Sequence, residues 1–403
     1  MPRWPRKNDP ASIRARQEAL GLDGEVTGID LEPFANAQEM LTGAAVLPVS
    51  VVGPLVVSIG RYELEEPFGR LAETGRETEE VFVPLAHTEG GLSASLYRGA
   101  RAAAESGGFR TYVLRDRITR ASAFVCRSTE EAVALARFLE AHVAEMRRWL
   151  AERAEAETEL STYAKLREVE THVVGPMCHV MWAFTTGDAC GPNMMTRNAY
   201  ALNMRYVPEH APVTSERTIL EANMGGDKKP SHRYFERGGH GKTVLAECTL
   251  TEAAVRRVLR TSVDDLLELA WAGTHGAVAS GMQSVAFTPA SAVAAIFAAT
   301  GQDLGMVGTS SMAHGTGRRT ERGLHVAIRL PGVEVGTVGG GTTLPYARSW
   351  LALMDCAGSG KVYRFAQIVA AAALALEISA SAAMATAGSE NFFRAHHERG
   401  GLR

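Results

Sequence analysis

Hydrophobic and polar positions change their period several times along the chain, and each change predicts an element. Up to about Leu55 the chain is turn-rich and ends in Leu47-Pro-Val-Ser-Val-Val-Gly-Pro-Leu55, a short extended run closed by Gly-Pro. Glu63 to Glu80 is charged and glycine-containing, the pattern of a surface loop or hairpin. Val81 to Gly91 then leads through a polar turn into a helical pattern from Leu92 through Ala104. Tyr112 to Arg120 alternates as a strand does, and Ser128-Thr-Glu-Glu131 is a capping box opening a long helix. Its apolar positions Leu135, Phe138, Leu139, Val143, Met146 and Leu150 keep helical spacing. Thr171 to Thr186 reads as two strands broken at Gly175-Pro176, so strand, helix, strand, strand predicts a small α/β sandwich set between the halves of a larger domain. Beyond Asp188 the pattern predicts mostly helix with glycine-rich breaks, apart from a strand at Leu324 to Leu330 that Pro331-Gly332 terminates. Ile368 to Gly388 is the most membrane-like stretch. Glu377 interrupts it and most of the rest is Ala and Ser, short of the roughly 20 strongly apolar residues a span needs. A buried helix that lets its neighbours approach closely is the expectation.

Composition narrows the class. With 403 residues, 46% hydrophobic and 22% charged, the chain has core-forming material for two or three domains, which excludes disordered and collagen-like proteins. Lys+Arg 42 against Asp+Glu 45 gives a formal charge of −3 without a basic stripe, so no nucleic-acid partner is expected. Cys126, Cys178, Cys190, Cys248 and Cys356 are scattered and form no CxxC pair, so no metal site is expected and the thiols read as reduced, in a cytoplasmic protein. Met1 to Gly21 is charged and lacks the apolar core of a signal peptide, so neither export nor membrane attachment is expected. Lysine is scarce: Lys7, Lys165, Lys228, Lys229, Lys242 and Lys361 are all there are. Where a lysine stands, a compact ammonium is a candidate for what the site needs.

Five segments could carry chemistry, the last two as a pair. Glu89 in His87-Thr-Glu-Gly-Gly91 sits where strand chemistry gives way to helix chemistry, and suits either a general acid or an ordinary carboxylate at a helix N-terminus. Asp188 and Asn193, in Thr186-Gly-Asp-Ala-Cys-Gly-Pro-Asn-Met194, suit a ribose or phosphate site, or an ordinary Asp-led turn. Gly225-Gly-Asp-Lys-Lys-Pro230 places Lys228 and Lys229 beside Asp227, either as an ammonium held to polarise a carbonyl or as a solvated turn. Gly301-Gln-Asp303 follows the apolar run Ala292 to Ala299, where an unpaired charge is costly, so Asp303 is expected to have a cationic partner. The triple glycine of Gly336-Thr-Val-Gly-Gly-Gly-Thr342 means a close backbone approach or a mobile loop, and Val338 and Leu344 around it point to packing. Ala357-Gly-Ser-Gly-Lys361 fails as a phosphate loop, because Asp355 stands at the required earlier glycine and Val362 at the required Ser/Thr.

In order along the chain, Pro48 to Leu55, Thr88-Glu-Gly90, Asp116-x-x-Thr-Arg120, Gly187-Asp-Ala-x-Gly-x-Asn-Met194, Asp227-Lys-Lys-Pro230, Gly301-Gln-Asp303 and Gly336 to Thr342 resemble the motifs of the 3-hydroxy-3-methylglutaryl-coenzyme A reductase family. The likeness is to its soluble form in the class shared by eukaryotes and archaea. It implies an α+β fold: a large, mostly helical domain with a central helix and mixed sheet (56–120 and 220–403), after an N-terminal segment (1–55). A small ferredoxin-like sandwich at 121–219 would bind NAD(P). It also implies reduction of an acyl-CoA thioester to an alcohol by two hydride transfers from NADPH or NADH, through a hemithioacetal and an aldehyde. Lys228 would stabilise the oxyanion, Glu89 would protonate oxygen, Asp303 would bridge the two, and His396, or alternatively His397, would protonate the coenzyme A thiolate. The cofactor would be held by Asp188, Gly191, Asn193, Gly339, Gly340, Gly341 and Thr342, with Thr196 and Arg197 against a 2′-phosphate, which favours NADPH. Arg120 would grip the substrate carboxylate near Asn223, Asp227 and Lys229. A homodimer or larger assembly with its site at the subunit interface is also implied.

The sequence departs from that pattern at the acid end of the substrate. Glu221 stands where the family has a serine, and no lysine occurs from Thr251 to Thr300, where the family has one. The family's asparagine is likewise missing from Val285 to Ser291. Two classes of function stay open: a reductase of hydroxymethylglutaryl-CoA or a related thioester, and a non-catalytic homologue that acts as a binding or assembly subunit.

Overall fold

Asp9 caps the helix α1 (Pro10–Leu20) by accepting from Ser12 N, and Gly21, in the left-handed region at φ 63, ends it. The computed structural model describes residues 7–22, 29–386, 389–390 and 393. β1 (Val49–Glu65) and β2 (Arg70–Ala86) pair antiparallel from Val49↔Ala86 to Glu65↔Arg70, so the hairpin expected over 63–80 is present and continues far below it. The extended run does not close at Gly53-Pro54. A register shift between Val52 and Leu55 absorbs the proline, which has no N–H to give to the ladder, and pairing resumes.

α2 (Leu92–Ala104) spans the expected residues, entered through Gly91 at φ 85. β3 (Phe109–Val125) joins two sheets. Its first half pairs parallel with β1 and antiparallel with β7 (Gly241–Thr251), and its second half pairs with β5 (Met177–Thr185) and β6 (Arg217–Ile219). Between β3 and β5 run α3 (Thr129–Ala141), α4 (Val143–Ala156) and β4 (Lys165–Val174). The single long helix expected there is broken at His142. Its capping box is also shifted, because Ser128 Oγ accepts from Glu131 N whereas the Glu131 carboxylate reaches back to Arg127 N. The two strands broken at Gly175-Pro176 form as expected and complete a small sandwich of helices on an antiparallel sheet.

After α5 (Pro192–Ala201), β6 and the short α6 (Arg233–Arg237) come β7, α7 (Val263–Ala279), α8 (Pro289–Thr300), β8 (His314–Thr320), β9 (Gly323–Val333), α9 (Pro345–Leu353) and α10 (Val362–Ala385). The expectation of mostly helix here missed β7 and β8. β7 is central, with neighbours β3 and β9, and the first four of its residues are all buried, so the polar alternation that marks a half-exposed strand is absent. β9 also runs through Pro331-Gly332, where the register shifts opposite Thr243 and Thr243 Oγ1 donates to Pro331 O at 2.8 Å.

Buried side chains form two main clusters. One gathers β1, β2, α2, β7, β9 and α8 around α10, and the other fills the small sandwich with Phe124, Leu135, Leu139, Met146, Trp182 and Phe184. By length and composition α10 could cross a membrane, yet most of its length is buried within the protein. Its small residues serve close packing: a Cβ at Gly99 of α2 would overlap the carbonyl oxygen of Ala375. Glu377, which breaks the apolar run, accepts from Phe287 N, Thr288 N and Thr288 Oγ1 and so caps α8 with a negative charge.

Candidate active site

The loop between β6 and α6 carries Asp227, Lys228 and Lys229. It is pinned from outside: Thr119 Oγ1 donates to Gly225 O at 3.3 Å, and Tyr234 OH to Gly226 O at 2.8 Å. Lys228 adopts φ 57, a left-handed conformation uncommon for a residue with a side chain, which shows that the surroundings impose this turn. The side chain that results meets Asp303, with Nζ 2.7 Å from Oδ2. Asp303 itself is fixed just past the C-terminus of α8, where Oδ1 accepts from Gly305 N at 2.9 Å. A Cβ at Gly305 would stand only 3.0 Å from Lys228 Cδ, so the lysine stem lies across that glycine. The Asp303 carboxylate raises the Lys228 pKa and holds the ammonium charged. Both side chains are about half exposed, at 48% and 44%, so the charge is presented to solvent rather than sealed.

Arg120 organises the other side of the loop. Its guanidinium forms an ion pair with Glu221, lies 3.2 Å from Asp227 Oδ2, and donates to Thr196 Oγ1 at 3.0 Å. Glu221 in turn accepts from Asn223 N at 2.7 Å, and Lys229 Nζ donates to Asn223 Oδ1 at 2.6 Å. Arg120, Asn223, Asp227 and Lys229 therefore form one network, and Thr196 from α5 joins it.

Glycine-rich backbone closes the far wall. Gly336 N donates to Gln302 Oε1 at 2.9 Å and Thr337 N to Asp188 O at 2.8 Å. Cβ atoms at Gly301 and Gly341 would each overlap the other's carbonyl, so the triple glycine is a close backbone approach, as Val338 and Leu344 suggest. Gly339 and Gly340, at φ 71 and 53, have nothing near a would-be Cβ. Thr342 Oγ1 closes this turn on Gly339 O at 2.6 Å. Gly191, at φ 90 before α5, packs against Thr186, while Asn193 and Arg197 are exposed.

Asp188, expected at the ribose, is engaged within the chain. Its carboxylate accepts from the amides of Gly360, Lys361 and Val362 at 2.8, 3.0 and 3.1 Å, which caps α10. The rejected phosphate loop thus has an anion after all, supplied by the chain itself.

Glu89 is exposed, and among the described residues it has no hydrogen bond or ion pair. The expected bridge from Asp303 to Glu89 is not made within this chain. His396 and His397 lie outside the described residues. Sequence reasoning missed two buried pairs beside the loop. Lys242 Nζ lies 3.6 Å from Asp116 Oδ1, whose Oδ2 accepts from Tyr363 OH at 2.9 Å. His240 Nδ1 lies 3.2 Å from Glu334 Oε2, with both side chains fully buried. Lysine scarcity was a signal that could have found Lys242, and the lone carboxylate in the apolar run Leu330 to Val335 one that could have found Glu334.

A mixed α+β fold in which a charged lysine is paired with an aspartate, next to the Gly301–Gly341 backbone contact, suits a class of enzyme that acts on a carbonyl. The chain belongs to the hydroxymethylglutaryl-coenzyme A reductase family, whose model matches residues 14–400. It is 34% identical over 380 residues to the 3-hydroxy-3-methylglutaryl-coenzyme A reductase of Aeropyrum pernix, covering 92% of this chain and 84% of that one. To the enzyme of the same name from Pyrococcus abyssi it is 34% identical over 365 residues, covering 89% and 83%. Among solved structures, a class II 3-hydroxy-3-methylglutaryl-CoA reductase from Streptococcus pneumoniae, bound to NADPH, superposes with TM-score 0.67 at 16% identity, covering 93% of this chain and 97% of that one. That likeness is one of fold.

Proposed function

We propose that this protein is an NADPH-dependent reductase that converts hydroxymethylglutaryl-CoA to mevalonate and free coenzyme A. The 2.7 Å contact of Lys228 with Asp303 carries the reading, because it supplies a charged, half-exposed donor for the oxyanion of a thioester. Asp303 keeps that ammonium protonated. Glu89 supplies the proton to carbonyl oxygen and His396, or His397, the proton to the departing thiolate.

The residues expected at the cofactor fit a dinucleotide. Exposed Gly339 and Gly340 leave room for close backbone approach, and Arg197 is an exposed cation without an ion-pair partner among the described residues. Gly191, Asn193, Thr196, Arg197 and Gly339 to Thr342 would hold NADPH, which supplies the hydride when bound. Asp188 would serve this site by holding the turn in place through its backbone oxygen. In this reading 121–219 is the cofactor-binding unit, set within the substrate domain of 56–120 and 220–403, and the protein works in the cytoplasm.

Glu89 has no partner among the described residues, and exposed Trp271, Val278 and Met282 lie on and just after α7. We therefore assign the site to the interface of a homodimer or higher homo-oligomer. A fall in NADPH absorbance on adding hydroxymethylglutaryl-CoA, lowered about 100-fold or more in Lys228→Ala, is the expected result. No NADPH consumption with any acyl-CoA would leave the binding-subunit reading.

The ion pair of Arg120 with Glu221 supports a second reading. The cation expected to grip a distal carboxylate already holds one, so a thioester without that carboxylate is an alternative substrate.

A further inference from the structure

The carboxylates around the 227–230 loop have cations assigned to them, with one exception. Arg120 serves Glu221 and Asp227, Lys228 serves Asp303, and Lys242 serves Asp116. Glu334, just past β9 and 1% exposed, makes no ion pair with any described Lys or Arg, and its Oε1 is taken by Thr309 Oγ1 at 2.5 Å. The one ionisable nitrogen at ion-pair distance from it among the described residues is Nδ1 of His240, which is wholly buried. The other ring nitrogen, Nε2, lies 2.5 Å from Thr119 O. A carbonyl oxygen can only accept, so Nε2 carries a proton. A neutral ring would then aim the Nδ1 lone pair at a carboxylate in a dry interior, with Asp227 close by: one ligand atom from each of Asp227, His240 and Glu334 falls within 4.8 Å of the others. Asp227 Oδ1, His240 Nδ1 and Glu334 Oε2 are all buried without an aligned hydrogen bond, which leaves charge to balance them.

We propose that His240 is an imidazolium that neutralises Glu334 and acts as a positioning residue for the loop carrying Asp227 and Lys228. The protonation state stands on the structure alone, whereas its link to turnover rests on the reductase reading. Glu334 and Asp227 together raise the His240 pKa above its ordinary value, against a burial effect that lowers it. The other ionisable groups near the pair are Tyr234 and Cys190, both neutral because burial raises their pKa values, and the cations Lys228 and Arg120. A raised folded pKa makes the contribution to stability complete below the ordinary histidine pKa of about 6.5, and lost as pH rises through the folded value. The loop is therefore expected to loosen as pH rises through the folded-state pKa of His240, above its ordinary value.

Nitrogen-15 spectra of histidine-labelled protein test the charge directly. One imidazole, assigned by its absence in His240→Gln, is expected to keep both ring protons above pH 7. The unmodified protein is expected to lose melting temperature as pH rises through the folded-state His240 pKa; Glu334→Gln, whose amide can donate to a neutral Nδ1 and still accept from Thr309, is expected to fold and to lose that dependence. In the turnover assay, His240→Gln is expected to lower kcat about 10- to 100-fold with the KM for NADPH unchanged. A His240 ring with a single proton at pH 7, an alkaline inflection that survives in Glu334→Gln, or a stoichiometric metal removed by chelator would each overturn the proposal. If turnover is absent, the spectra and melting profiles still decide it.

Discussion

Charge at single residues separates what this site shares with its family from what is its own. Lys228 and Asp303 lie 2.7 Å apart in a half-exposed setting, where an ion pair adds little stability and its use is chemical. Arg120, by contrast, is 8% exposed and committed to Glu221 and Asp227. Freeing it has a predictable sign. Glu221→Gln removes the competing anion, and a charge-assisted contact contributes about 1.5–3 kcal/mol, so KM for hydroxymethylglutaryl-CoA should fall about 10- to 100-fold. The comparison substrate is an acyl-CoA without a distal carboxylate, whose KM should not fall. Equal responses of both substrates would remove Arg120 from acid recognition.

At the level of elements, the site is held by caps and glycine contacts more than by its own side chains. Asp188 ties the turn before α5 to the first amides of α10, and Glu377 of α10 ties that helix to the start of α8, which ends at Gly301. Gly301 then presses on Gly341. The glycine turn beside Asp303 is thus tied to the ends of three helices. Asp188→Ala would leave the amides of Gly360, Lys361 and Val362 without their acceptor and should cost about 1–2 kcal/mol, read as a lower melting temperature. Asp188→Asn, which keeps an acceptor oxygen, should lose less. If the two substitutions weaken NADPH binding while leaving melting unchanged, Asp188 serves the cofactor directly.

For the whole molecule, the apolar surface of α7 borders a groove of about 590 Å³ lined by Leu266, Leu267, Trp271, Phe287 and Ile378. Trp271 is 66% exposed and Val278 is 74% exposed, values that suit a covered face better than a free one. Trp271→Glu should weaken self-association at least about 30-fold if this ring anchors the interface, seen as a shift toward monomer in light scattering at micromolar protein. Activity should fall with it, because Glu89 has no partner among the described residues of one chain. A monomer with full activity would contradict the interface assignment.

Local sequence determined the parts whose signal lies within a few residues. The hairpin around Glu63 to Glu80, α2, the β4–β5 break at Gly175-Pro176, the buried α10 and the need of Asp303 for a cation were all legible, because side-chain period, turn residues and desolvation act at short range. Gly53-Pro54 and Pro331-Gly332 misled, since a ladder can absorb a proline through a register shift that depends on the partner strand. Tertiary structure alone decided which charge meets which. Asp188 and Gly360 are 172 positions apart, Arg120 and Glu221 101, and nothing local distinguishes a carboxylate that will cap a distant helix from one that will face a ligand. Burial then set the meaning of His240 and Glu334: the same two side chains in water would be unremarked, and enclosed together they share a charge that neither could keep alone.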